Sequence, residues 1–185
     1  MQSISNLSNV TTLDLTINSP TDSVFPSVSL VHDLLVILHK VSRLYLCYNN
    51  LLEFLKSSSM VEILQKQIET LRIIFNTDPP LLENMIQIFN IFAAKLKFLY
   101  FQLHIDFPTY NFYLILPLLM CGICPELLIF ELELQTPEGQ QQQPTFNEDF
   151  KLWLKECLTA LSKANAKRST SIEYKITDRQ FAISF

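Results

Sequence analysis

The chain has 185 residues, is 49% hydrophobic and 17% charged, carries a net charge of −4, and contains two glycines, Gly122 and Gly139. At usage of roughly 7% glycine and 25% charged residues, an average chain of this length holds about 13 glycines and about 46 charges. Walker loops, dinucleotide fingerprints and the G-x-S-x-G nucleophile elbow all need closely spaced glycines, so that backbone turns sharply or approaches phosphate; Gly122 and Gly139 stand in separate contexts and build none of them.

Residues 1–28 are rich in Ser, Thr and Asn and read as a largely flexible segment, with a possible edge strand at 12–17, where Leu13, Leu15 and Ile17 alternate with polar residues. From 29 to 185 the chain reads as one α+β domain. No internal repeat is visible. A first long helix is expected over 29–56, because Leu30, Leu34, Leu38, Val41, Leu44, Tyr48, Leu51 and Leu55 recur at three- and four-residue steps. Ser59 and Glu62 form a capping-box pattern that opens a second helix to about Phe75. Asp78 and Pro79 suit the start of a third, continuing to about Leu103 with apolar residues around most of its circumference.

The tract from Phe112 to Cys124 reads as a short buried helix bent or started at Pro117. Leu128 to Leu134 alternates, with Glu131 and Glu133 on the polar side, which is the pattern of a half-buried strand. A Gln-rich loop is expected at 135–144. Thr145 and Glu148 repeat the capping box and open a helix to about Ala166, followed by a hairpin of 172–176 and 181–185 across Thr177–Gln180. The expected fold class is therefore α+β and helix-dominated: long packed helices with a small antiparallel sheet contributed mainly by the C-terminal third, in which Glu131 and Glu133 oppose Lys175.

Four cysteines and a polar N-terminus without an apolar signal core point to an intracellular, reducing compartment, cytoplasm or nucleus, and the short glutamine run to a eukaryotic source. No stretch of about 20 apolar residues is uninterrupted, because Pro117, Gly122, Pro125 and Glu126 break the one candidate, so no transmembrane span is expected. No cofactor and no metal is expected either.

The sharpest chemical motif is Cys121-Gly122-Ile123-Cys124-Pro125. Two thiols at this spacing serve disulfide exchange or half a zinc site. No second Cys pair or close His pair completes the metal, and no thioredoxin-like βαβ precedes the motif, so a buried turn that tolerates small cysteines is favoured. Lys163, Lys167, Arg168, Lys175 and Arg179 gather near the C-terminus and make the one patch suited to an anionic partner such as a phosphate backbone. Against a nucleic-acid partner stands the sequence pI of about 5.3.

Tyr45, Tyr48, Phe54, Phe98 and Tyr100 fall where an exposed helix would ordinarily carry Lys or Glu, and aromatics are enriched at protein interfaces. These residues direct the functional expectation to a non-catalytic accessory or scaffolding subunit of an intracellular multiprotein complex, an obligate hetero- or homo-oligomer that binds other protein subunits through apolar helical surfaces. Two alternatives come from other classes: a membrane-associated or hydrophobic-ligand-binding protein using 107–130, and a thiol redox protein using Cys121 and Cys124.

Overall fold

The computed structural model describes residues 9–16, 26–75, 81–104, 124–135, 145–165 and 172–185. Among them are seven strands, β1 (Thr12–Leu15), β2 (Arg43–Cys47), β3 (Thr70–Phe75), β4 (Phe98–His104), β5 (Ile129–Gln135), β6 (Glu173–Ile176) and β7 (Gln180–Ser184). The helices are α1 (Val28–Ile37), α2 (Tyr48–Leu55), α3 (Ser58–Gln67), α4 (Leu82–Phe92) and α5 (Glu148–Asn165). All seven strands join one sheet in the order β1-β2-β3-β4-β5-β7-β6. The first five run parallel, and β7 and β6 add an antiparallel hairpin at the far edge.

This corrects the helix-dominated α+β expectation. The fold is α/β, with a mostly parallel central sheet, and each of the three long helices expected from the sequence is broken by a strand. The stretch 29–56 divides into α1, β2 and α2; 59–75 divides into α3 and β3; 79–103 divides into α4 and most of β4. The physical reason is that the strands are short, their buried positions are mainly leucine, a good helix former, and glycine does not mark their ends. Tyr48 opens α2 directly after Cys47 closes β2, so apolar spacing of two runs into spacing of three and four without interruption.

Consecutive parallel strands lie side by side and always step in one direction, so crossovers of one hand place their helices on one face of the sheet. Burial agrees. Leu44 and Leu46, Leu71 and Ile73, Leu99 and Phe101, and Phe130 and Leu132 all point into the helix layer and are 2% exposed or less. A phenylalanine series crosses this interior: Phe75 meets Phe101 edge-on at 5.2 Å, Phe101 meets Phe130 at 5.2 Å, and Phe130 meets Phe181 at 6.1 Å. Phe89 of α4 lies parallel to Phe101 at 6.5 Å.

The register exposes an internal repeat that the linear sequence hides. The carbonyl of Thr11 accepts from the amides of Ser42 and Arg43, that of Ser42 from Glu69 and Thr70, that of Glu69 from Lys97 and Phe98, and that of Lys97 from Leu128 and Ile129, all at 2.8–3.1 Å. Aligned on these rungs, each strand reads apolar-x-x-apolar-x-apolar: Val10, Leu13, Leu15; Val41, Leu44, Leu46; Ile68, Leu71, Ile73; Leu96, Leu99, Phe101; Leu127, Phe130, Leu132. The arrangement is a series of stacked units that share this apolar spacing, each joined to the next through the parallel sheet.

The caps differ from expectation in position and keep the mechanism. Ser57, not Ser59, accepts from the amide of Met60 at 3.4 Å to start α3. Asn147, not Thr145, accepts from Phe150 N–H at 2.7 Å to start α5. Ser27 caps α1 through the amide of Leu30 at 3.3 Å. The Asp78–Pro79 start, the bend at Pro117 and most of the Gln-rich loop lie outside the described residues. The edge strand, β5, the last helix and the C-terminal hairpin stand within a few residues of their expected bounds.

The expected pairing of Glu131 and Glu133 with Lys175 does not occur, because β7 lies between β5 and β6. Glu131 faces Ala182, which faces Lys175 on its other side, and Glu133 faces Gln180. Leu134 N–H donates to the Arg179 carbonyl at 2.8 Å and Phe185 N–H to the Leu128 carbonyl at 3.0 Å, so Glu133 and Gln180 form a non-hydrogen-bonded antiparallel pair. Such pairs have Cα atoms about 4.5 Å apart, within reach of a disulfide. Oxidation should therefore cross-link a Glu133→Cys, Gln180→Cys double variant, while Glu133→Cys with Lys175→Cys stays reduced; mass spectrometry of the oxidised proteins reads the difference. Phe101→Ala, which empties the centre of the phenylalanine series, should lower unfolding stability by about 3–5 kcal/mol in a denaturant titration.

Candidate functional site

One face of the sheet is covered by helices, and the other presents a registered array of side chains. Its central row runs Asp14, Tyr45, Arg72, Tyr100, Glu131, Ala182, Lys175 across all seven strands. The row beside it holds Thr12, Arg43, Thr70, Phe98 and Ile129, and the row on the other side holds Cys47, Ile74, Gln102, Glu133 and Gln180. Neighbouring strands stand about 4.8 Å apart, so each row is a ruler of fixed spacing. A depression of about 540 Å³ lies over the middle of this face, bounded by Arg43 and Tyr45 on one side and Glu131 and Glu133 on the other.

Arg72 organises the centre. Its guanidinium donates to Gln102 Oε1 at 2.6 Å, stands 3.8 Å from Glu133 Oε2, and lies over the Tyr45 ring at 6.0 Å from the centroid. Gln102 is buried, so its amide is a rigid acceptor that holds Arg72 in one orientation. On β5, Glu131 accepts from the Gln180 side-chain amide. Tyr100 lies between the Arg72 and Glu131 positions, and burial, then Glu131, raise its phenol above the usual tyrosine value against the opposing pull of Arg43 and Arg72. The surface thus combines aromatic area, two guanidiniums and two carboxylates on a scaffold whose backbone is fully hydrogen-bonded into a sheet.

The five aromatic residues singled out from the sequence divide into two groups. Tyr45, Phe98 and Tyr100 sit half-buried on strands of the open face, not on helices. Tyr48 and Phe54 belong to α2, are buried in the core and are 4% and 0% exposed. The Tyr48 hydroxyl accepts from Asn84 Nδ2 at 3.1 Å and its ring meets Phe75 at 5.1 Å, which assigns it a packing role. Arg43, Arg72 and Gln102 were not singled out from the sequence. Their signal was the polar-apolar alternation of Arg43-Leu44-Tyr45-Leu46 and Leu71-Arg72-Ile73, masked by the leucines on both sides.

The C-terminal basic cluster is not assembled into a described patch. Lys175 is exposed on β6 and Arg179 half-buried in the hairpin turn, Lys163 lies on α5, and Lys167 and Arg168 lie outside the described residues. The cation that does join elements here is Lys151 of α5. It donates to Asp178 at 2.7 Å and Glu148 at 2.9 Å, and the hydrogen bond to Asp178, then that to Glu148, raises its pKa. Together with the Phe146 N–H to Asp178 carbonyl bond at 2.8 Å, it ties the start of the last helix to the hairpin.

Of the thiol motif, Cys121 lies outside the described residues, as does most of the tract 107–130. Cys124 is buried against α4, its thiol 3.8 Å from the Phe89 carbonyl, and burial pushes its pKa up to about 11. That is opposite to the activation a redox nucleophile needs. Among the described residues no group of three or more His, Cys, Asp and Glu side chains is placed to hold a metal, and no helix is long and apolar enough to cross a membrane. Folded protein should resist iodoacetamide at Cys124 at pH 7 and react only as pH approaches about 11 or after unfolding. The sign follows from the raised value: the neutral thiol is the form the fold accommodates, so the stability it supports is complete below its ordinary pKa and lost as pH rises through the folded one. Peptide mapping of the alkylated protein checks this.

Comparison with family models, with curated proteins and with solved structures finds no match to this chain.

Proposed function

We propose that the protein is a non-catalytic binding subunit of an intracellular assembly, in the cytoplasm or nucleus, and that its open sheet face receives a segment of a partner protein. The observation that carries this reading is the one-sided sheet. Helices cover one face, while Tyr45, Arg72, Phe98, Tyr100 and Ile129 stand together on the other without a layer of this chain packed over them among the described residues. Tyr and Arg are the residue types that dominate binding energy at protein interfaces, and the extended sheet is a rigid platform for them. Rigidity matters because a preorganised surface loses little conformational freedom when it docks.

The cysteine content supports the compartment, because four cysteines in a chain of 185 residues are too few for a disulfide scaffold. The proposed interaction surface is the sheet face, and α1 offers a competing apolar surface in Leu30 and Ile37, which are 52% and 58% exposed.

Affinity purification of the tagged chain from its native source, followed by mass spectrometry, separates these surfaces. A Tyr45→Ala, Tyr100→Ala variant should lose the co-purifying protein, with each substitution weakening affinity by about thirtyfold if it removes a hot-spot contact of about 2 kcal/mol. A Leu30→Ser, Ile37→Ser variant should retain it. Retention by the tyrosine variant and loss by the α1 variant would move the interface to the helices.

A further inference from the structure

The charges that line the depression are segregated by strand. Arg43 and Arg72 occupy β2 and β3, and Glu131 and Glu133 occupy β5, with Tyr100 of β4 between them. At about 4.8 Å per strand, the Arg43 and Glu131 positions stand three strands, about 14 Å, apart across the sheet, while the Arg72 guanidinium between them reaches to 3.8 Å from Glu133. Arg43 is exposed and makes no ion pair among the described residues, while Arg72 keeps one long contact, 3.8 Å, to Glu133. Glu131 and Glu133 are half-buried, so a cation meeting them would be partly shielded from water. The depression described above joins the two poles and contains both.

We infer that the occupant of this face is a bipolar peptide segment lying across the strands, with an acidic side chain at Arg43 and Arg72, a basic side chain at Glu131 and Glu133, and an apolar residue over Tyr100. This rests on the reading of the open face as a docking surface and adds the chemistry of what docks. The strand spacing between Arg43 and Glu131, the farthest-apart members of the two poles, sets the spacing of the segment. An extended chain rises about 3.3 Å per residue, so the acidic and basic residues stand about four positions apart. A uniformly acidic segment leaves the two glutamates facing like charge, and a uniformly basic one does the same to the two arginines; like-charge juxtaposition is what excludes wrong partners.

The test is selection from a random phage-displayed peptide library on the full chain, with Tyr45→Ala, Tyr100→Ala as the counter-selection target. The expected result is enrichment of peptides carrying Asp or Glu about four positions from Lys or Arg, with an apolar residue between. A synthetic peptide of that consensus should bind at least about tenfold more weakly to Arg43→Glu, Arg72→Glu protein. Replacing the peptide's acidic residue by Lys should restore binding to that variant, a rescue that a misfolded protein cannot give. Enriched peptides that depend on the tyrosines but carry one sign of charge would overturn the bipolar inference and leave the docking surface standing. Absence of any tyrosine-dependent enrichment would overturn both.

Discussion

A parallel sheet covered by helices on one face only, among the described residues, is the constraint on which the rest of this structure depends. A parallel sheet ordinarily has both faces covered, because each crossover returns over one of them. Here successive strands advance in one direction, and crossovers of one hand then deliver α1 to α4 to the same side. The consequence is visible along each strand. Leu71 and Ile73 are fully buried while Arg72 between them is 37% exposed at its side chain, and Leu99 and Phe101 are buried while Tyr100 faces the open side. The interior is held by contacts between adjacent repeats, with the phenylalanines of β3, β4, β5 and β7 touching in sequence.

The same constraint explains how the sheet ends. After β5 the chain turns back through α5 into a hairpin, and β7 pairs antiparallel with β5 before β6 forms the edge. The exposed Glu173 and Lys175 of β6 make that edge polar, which discourages further strand addition. Lys151 with Asp178, and the Phe146 amide with the Asp178 carbonyl, fix the hairpin to the helix that precedes it. The open face is therefore bounded, with a defined set of rows, and the side chains on it inherit their positions from backbone hydrogen bonds. Function on such a surface comes from geometry more than from reactivity. Cys124, the described member of the thiol motif, is held neutral in the core.

Much of the C-terminal third was legible because its pattern is unambiguous. Phe130, Leu132 and Leu134 alternate with glutamates, the hairpin alternates on both arms, and α5 keeps a helical apolar face in Phe150, Leu154 and Leu158. The first hundred residues were misread because short strands with leucine at alternate positions meet helices without a glycine between, and β2 runs into α2 without a proline either. Leu44, Leu46, Tyr48 and Leu51 satisfy a helical spacing as well as they satisfy a strand followed by a helix. The aromatic residues at 45, 98 and 100 were noticed for their type, yet their partners Arg72 and Gln102 were not, since nothing local says that residues 27 to 30 positions apart meet on one face of a sheet.

The sequence by itself determined the composition of this protein's surfaces. Two glycines exclude phosphate-cradling loops and a nucleophile elbow, and the concentration of acids between Lys97 and Lys151 places the negative charge on the strand that carries Glu131 and Glu133. Only the tertiary structure decided which of those residues meet. Strand register is a non-local property, settled by burying Leu44, Leu71, Leu99 and Phe130 in one ladder beneath the helices. Once that ladder is buried, the period of two forces the intervening residues outward, and Tyr45, Arg72, Tyr100 and Glu131 become neighbours on one face.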